Sequence, residues 1–155
     1  MGILRTFTLV LVAAILLVAT GMAQEKKIKR SDLPAAVEKA VVAQSQGATI
    51  RAFSVEIGIE HSYYEAELMV DGHSKDILMD ANGGVVEAEE QVAMNSLPAA
   101  VRAGLQAKAG KGKLFKVESI TKHGNLVAYE AKVMTDGKKS DVQVGTDGKP
   151  LDHEE

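Results

Sequence analysis

Apolar residues recur along this chain at two periods, and the period changes twice in the same order. Leu33, Val37, Ala40 and Val41, with Gln44 continuing the line, fall at three- and four-residue steps and make one helix stripe. Ser31 or Asp32 can cap that helix, Pro34 suits its first turn, and Gly47 stops it. From Ile50 the period drops to two. Phe53, Val55, Ile57 and Ile59 alternate with Ser54, Glu56, Gly58 and Glu60, which predicts a strand with one wet face. After a turn at His61-Ser62, Tyr63 to Val70 alternates again, and Asp71-Gly72 is a hairpin signal. Ser74 to Asp80 follows as a third strand, and Asn82-Gly83-Gly84 turns the chain into a fourth run that starts at Val85.

The second half repeats this order. Leu33-Pro34-Ala35-Ala36-Val37 recurs 64 positions on as Leu97-Pro98-Ala99-Ala100-Val101, with Asn95 or Ser96 in the capping place and Gly110 and Gly112 as the stop. Leu114 to Thr121 reads as a strand and His123-Gly124-Asn125 as its turn. Beyond it the halves align without a gap at an offset of 65, placing Tyr64-Glu65-Ala66 on Tyr129-Glu130-Ala131, Gly72 on Gly137 and Gly83 on Gly148. Internal duplication accounts for these coincidences.

Duplication also sorts the two faces of each strand. Tyr64 and Tyr129, Leu68 and Val133, Ile77 and Val142, and Met79 and Val144 stay apolar in both copies, so they are assigned to the face that packs on the helix. The other face is mixed. Tyr63, Met69, Leu78 and Met134 stand there among Glu65, Glu67, Asp76, Glu130, Lys132 and Asp141. These four are the candidate partner-binding residues, because Tyr and Met are enriched where interfaces form.

Ahead of the first helix the pattern changes character. Met1 to Thr6 carries a single Arg, Phe7 to Ala19 is almost wholly apolar, and Gly21 and Ala23 stand at the −3 and −1 positions before Gln24. That is the pattern of a cleaved export signal, and its apolar run is shorter than the roughly 20 residues of a spanning helix. No stable membrane insertion is therefore expected after cleavage. Lys26-Lys27-Ile28-Lys29-Arg30 then reads as a solvated basic lead-in.

Charge and composition narrow the function. Removing residues 1–23 leaves 17 basic and 21 acidic residues, a net charge of −4 against −3 for the whole chain. A mildly acidic chain lacks the cationic surface that nucleic acid requires, so nucleic acid is not a partner. Cys is absent, which removes disulfides, thiol catalysis and thiolate metal sites. Two units of about 60 residues each bury little surface alone, so the halves are expected to lean on each other.

A signal peptide, a helix opening in Leu-Pro, a strand reading Tyr63-Tyr64-Glu65-Ala66-Glu67 and a closing run Asp80-Ala81-Asn82-Gly83-Gly84-Val85-Val86 together resemble the PepSY-like proteins. Within them, the likeness is to the small exported proteins grouped with the β-lactamase-inhibitor proteins. The resemblance implies an α+β fold, a tandem repeat of a helix followed by an antiparallel β-meander. It also implies a binding or inhibitory role outside the cytoplasm, toward a protease or another envelope enzyme. The expected organisation is a signal peptide at 1–23, a basic lead-in at 24–30, and PepSY-like repeats at 31–92 and 93–155. Since Cys and Trp are absent, no inhibitory loop residue is carried across from the inhibitor relatives.

No catalytic set is read, and no cofactor. Of the four His residues, His61 and His123 sit at equivalent hairpin turns and His153 lies in an acidic stretch that reads as a loose tail. Asp80 and Asp147 stand in turns resembling half of a calcium loop, yet turn chemistry accounts for them without a metal. His61, His123, Asp80 and Asp147 are thus the only metal candidates, and no metal site is assigned. Glu87, Glu89 and Glu90 read as a solvated acidic segment. The reading that follows is a periplasmic or secreted, non-catalytic module for an exported protein partner. Its alternative is a periplasmic small-ligand or metal-cation sensor.

Overall fold

The computed structural model describes residues 24–58 and 61–155. The export signal at 1–23 and its cleavage point lie outside the described residues, as do Ile59 and Glu60. The elements in chain order are β1 (Gln24–Ile28), α1 (Ala35–Gln44), β2 (Ala48–Ile57), β3 (Ser62–Val70), β4 (His73–Asp80), β5 (Val85–Gln91), α2 (Ala99–Ala109), β6 (Lys113–Lys122), β7 (Asn125–Thr135) and β8 (Lys138–Gly145).

Each helix begins directly after its proline. Pro34 and Pro98 occupy the capping positions in extended backbone, where a missing N–H forfeits no helical bond. The residues expected to cap lie one step earlier, in single 3₁₀ turns at Arg30–Asp32 and Met94–Ser96. There Asp32 accepts the Lys29 N–H at 3.0 Å and Ser96 donates to the Ala93 carbonyl at 2.7 Å.

All eight strands form one continuous antiparallel sheet in sequence order. This corrects the α+β expectation of a helix followed by its own meander, used twice in tandem. The protein is mostly β, one sheet with two short helices. β5 pairs with β6 from Glu87↔Lys122 to Gln91↔Glu118 and fuses the two sets of strands. Separate meanders would each leave a row of unpaired N–H and C=O groups at that edge, and the joint satisfies both. Gln24–Ile28, read as a solvated lead-in, is instead β1 and pairs with β2 from Gln24↔Ile57 to Ile28↔Phe53.

Both helices cover the same face of the sheet. Val37 and Val41 of α1 pack on Phe53, Ala66, Leu68, Ile77 and Met79. Leu97, with Val101 and Leu105 of α2, packs on Val117, Ala131 and Val144. The apolar set expected to face the helices lies on this side, with Tyr64 beside the first cluster and Tyr129 and Val142 beside the second. Turn glycines set how closely the helices approach. A Cβ on Gly83 would stand 2.5 Å from the Ala36 carbonyl oxygen, and one on Gly148 would stand 2.2 Å from that of Ala100.

Candidate functional site

Register partners share a face, so the uncovered side of the sheet can be read as rows that cross the strands. One row runs Ser54, Glu65, Leu78, Glu87, Lys122. The next runs Ala52, Glu67, Asp76, Glu89, Ile120, Ala128, Gly145 and changes from acidic to apolar on the way. A third runs Gln91, Glu118, Glu130, Gln143. The segment expected to be solvated therefore supplies two central side chains, and Glu87 is only 7% exposed.

At the middle of this outer face, carboxylate oxygens of Asp76, Glu89 and Glu118 lie within 4.8 Å of one another. Glu118 is 1% exposed. Its carboxylate is met by the Lys116 ammonium at 2.7 Å, with Lys132 at 3.9 Å and the Ser74 hydroxyl donating at 3.4 Å. Lys132 also pairs with Glu130 and with Asp141 at 3.3 Å, and those carboxylates hold its pKa above the usual lysine value against the opposing effect of burial.

Burial holds five carboxyls of this face toward their protonated forms. Burial, followed by the negative charges of Glu130, Glu118 and Glu87, pushes Glu89 up to about 8. Burial and the charge of Glu118 push Asp76 up to about 6. Glu56, Glu65 and Glu87 are raised as well, in each case chiefly by burial. At neutral pH Glu89 is therefore held toward the form that carries a proton and can donate an O–H, because removing water penalises the charged form.

The four partner candidates all lie on this face, half-buried. Leu78 opposes Glu65 and Tyr63 opposes Asp80 two residues along, so these two are diagonal neighbours. Met69 opposes Ser74 near the far end of β3, and Met134 stands four strands away on β7, between Lys113 and Lys139. They frame the carboxyl cluster rather than forming one patch.

Nor are the turn residues gathered. Asp80 uses Oδ1 to accept the N–H groups of Asn82 at 2.8 Å and Gly84 at 2.9 Å, and Asp147 accepts that of Lys149 at 3.0 Å. His61 accepts the Gly58 N–H through its carbonyl, and His123 donates its N–H to Val86. Among the described residues, the one acidic or His group with metal-like spacing is Asp76, Glu89 and Glu118, which includes none of them. Glu118 escaped the sequence reading, and Gln143 was placed on this face only as the counterpart of Leu78. The available signal was polar residues in mid-strand, at positions where the flanking residues alternate.

Solved structures share this architecture. A BLIP-like protein from Bacteroides fragilis is 24% identical, with a TM-score of 0.56 over 77% of this chain and 83% of that one. The fold is BLIP-like. The same BLIP-like fold matches a protein provisionally assigned to the periplasm of Bacteroides eggerthii, 17% identical with a TM-score of 0.63 over 77% of this chain and 86% of that one. It also matches a DUF2874 family protein from Bacteroides ovatus, 16% identical with a TM-score of 0.59 over 77% and 84% of the two chains. No protein-family model and no curated protein matches the chain. None of these matches carries the PepSY label. No helix among the described residues is long and apolar enough to cross a membrane.

Proposed function

We propose that this chain is an exported, non-catalytic module that binds a protein partner outside the cytoplasm through the outer face of its sheet and the adjoining loops. The observation that carries this reading is that both helices lie on one face of the eight-stranded sheet. The opposite face keeps Tyr63 and Leu78 half-buried beside a dense set of partly desolvated charges. The export signal and the periplasmic assignment of a structural neighbour support the location. A partner that is an exported enzyme, such as a protease held or regulated by this face, follows from the PepSY-like resemblance.

The test is capture from cell-envelope extract by the mature chain, Gln24 to Glu155, beside a variant carrying Tyr63→Ala and Leu78→Ala. Central aromatic and aliphatic anchors carry a large share of interface energy, so retention in the variant should fall about tenfold or more. Unchanged capture would remove Tyr63 and Leu78, and with them the β3–β4 part of the outer face, from the binding site. The three carboxyls at Asp76, Glu89 and Glu118 do not by themselves favour the metal-cation alternative, since Lys116 and Lys132 already bring ammonium groups to Glu118.

A further inference from the structure

The stretch that reads as a loose tail folds back onto the outer face. Glu155 donates its main-chain N–H to Gln143 Oε1 at 2.8 Å, and Gln143 Nε2 donates to the Glu155 main-chain oxygen at 3.4 Å. A side-chain amide thereby offers the segment the donor and acceptor pair that a neighbouring strand would offer. Gln143 is 5% exposed, and a further bond from Nε2 to Glu130 Oε2 at 2.8 Å sets which way the amide points. Lys122 supplies charge, its ammonium lying 3.1 Å from the Glu155 carboxylate.

The other end of the segment has an apolar seat. Leu151 lies close against the bare Gly145 backbone, since a Cβ on Gly145 would stand 3.2 Å from Asp147 Oδ1 and 3.4 Å from Leu151 Cδ2. Gly145 ends the row Ile120, Ala128, Gly145, in which Ile120 and Ala128 are both fully buried although the helices lie on the opposite face.

We propose that Leu151–Glu155 is an intramolecular strap occupying a peptide track at the β6–β8 end of the outer face, and that the partner takes this track by presenting an extended acidic segment. Such a segment would place an apolar side chain over Gly145, pair its main chain with Gln143 and set a carboxylate on Lys122. The strap then competes with the partner and scales its apparent affinity down to the fraction of chains in which the track is free. The competition rests on the proposed outer-face function; the strap itself does not.

The test uses the full chain in solution by NMR, with a capped Leu-Asp-His-Glu-Glu peptide as probe. In the wild type, the Glu155 amide should exchange about tenfold or more slowly than in an unstructured peptide, because it is hydrogen-bonded. A strap-weakened variant, Leu151→Ser with Glu155→Pro, removes the apolar contact and the N–H donor while leaving the track intact. The probe should bind this variant about tenfold more tightly than the wild type, shifting the signals of Gln143 and Lys122. Adding Gln143→Leu should abolish that binding, and leucine suits the position because Leu78 is its counterpart in the first repeat. Unprotected exchange at Glu155 in the wild type, equal binding to both chains, or binding that survives Gln143→Leu would each overturn the proposal. A confirmed strap beside unchanged envelope capture by the Tyr63→Ala, Leu78→Ala variant would overturn the proposed role of Tyr63 and Leu78 and leave the strap standing.

Discussion

Gly148→Ala lowers the thermal midpoint of this protein by about 10 °C or more, a loss of roughly 3–4 kcal/mol. Two costs combine at that position. Gly148 has φ +80°, a conformation that strains any residue with a Cβ by about 1–3 kcal/mol. The added Cβ also meets backbone atoms rather than a flexible side chain, at 2.2 Å from the Ala100 oxygen and 2.8 Å from the Val101 nitrogen. α2 must move away, and Val101 and Leu105, both fully buried, lose part of their contact with the sheet. Gly124→Ala separates the two costs, because Gly124 has φ +79° with nothing within 4 Å of its would-be Cβ. Its midpoint should fall by only the strain component. Equal losses in the two variants, measured by calorimetry, would show that the helix approach contributes nothing.

Between pH 5 and pH 8 the protein loses on the order of 2 kcal/mol of stability, mainly through Glu89. In the folded chain its pKa is pushed up to about 8, whereas an unfolded Glu titrates near the ordinary value of about 4.3. Across that window the folded state holds the proton and the unfolded state has released it. Rising pH therefore favours unfolding, and the effect is complete once pH passes the folded value. Asp76, pushed up to about 6, adds a smaller loss in the same direction at the acid end of the window. Glu89→Gln keeps the shape and removes the charge, so it should leave stability near pH 4 almost unchanged and raise it at pH 8. Urea midpoints at the two pH values decide the matter. A wild type more stable at pH 8 than at pH 5, or a Glu89→Gln variant without a gain at pH 8, would show that the cluster is better solvated than its burial implies.

Residues close together in sequence disclosed much of this molecule. Leu68, Ile77, Met79, Val133 and Val144 could be assigned to one face because alternation with a period of two is a property of the strand itself, and all five are buried. Both Leu-Pro sites marked helix starts for an equally local reason, as did the glycines at the turns. Tyr63 and Leu78 were also legible as members of the opposite face, although their role there is a proposal.

What the chain could not disclose locally is which strands meet across its middle. The pairing of Glu87–Gln91 with Glu118–Lys122 spans α2, and no turn residue encodes it. That joint turns the expected tandem into one sheet and makes Glu87 and Glu89 central rather than solvated. It also brings together Asp76, Glu89 and Glu118 from three strands, and their raised pKa values arise from lost water and like charge, neither of which exists in an extended chain. The seat for Leu151–Glu155 depends likewise on Gln143, Lys122 and Gly145 from three separate strand positions. Periodicity specifies a strand and its faces, whereas contacts between distant segments depend on how helices, bulges and edges are satisfied together. The candidate binding face lies at that second level, so the tertiary structure alone decided its chemistry.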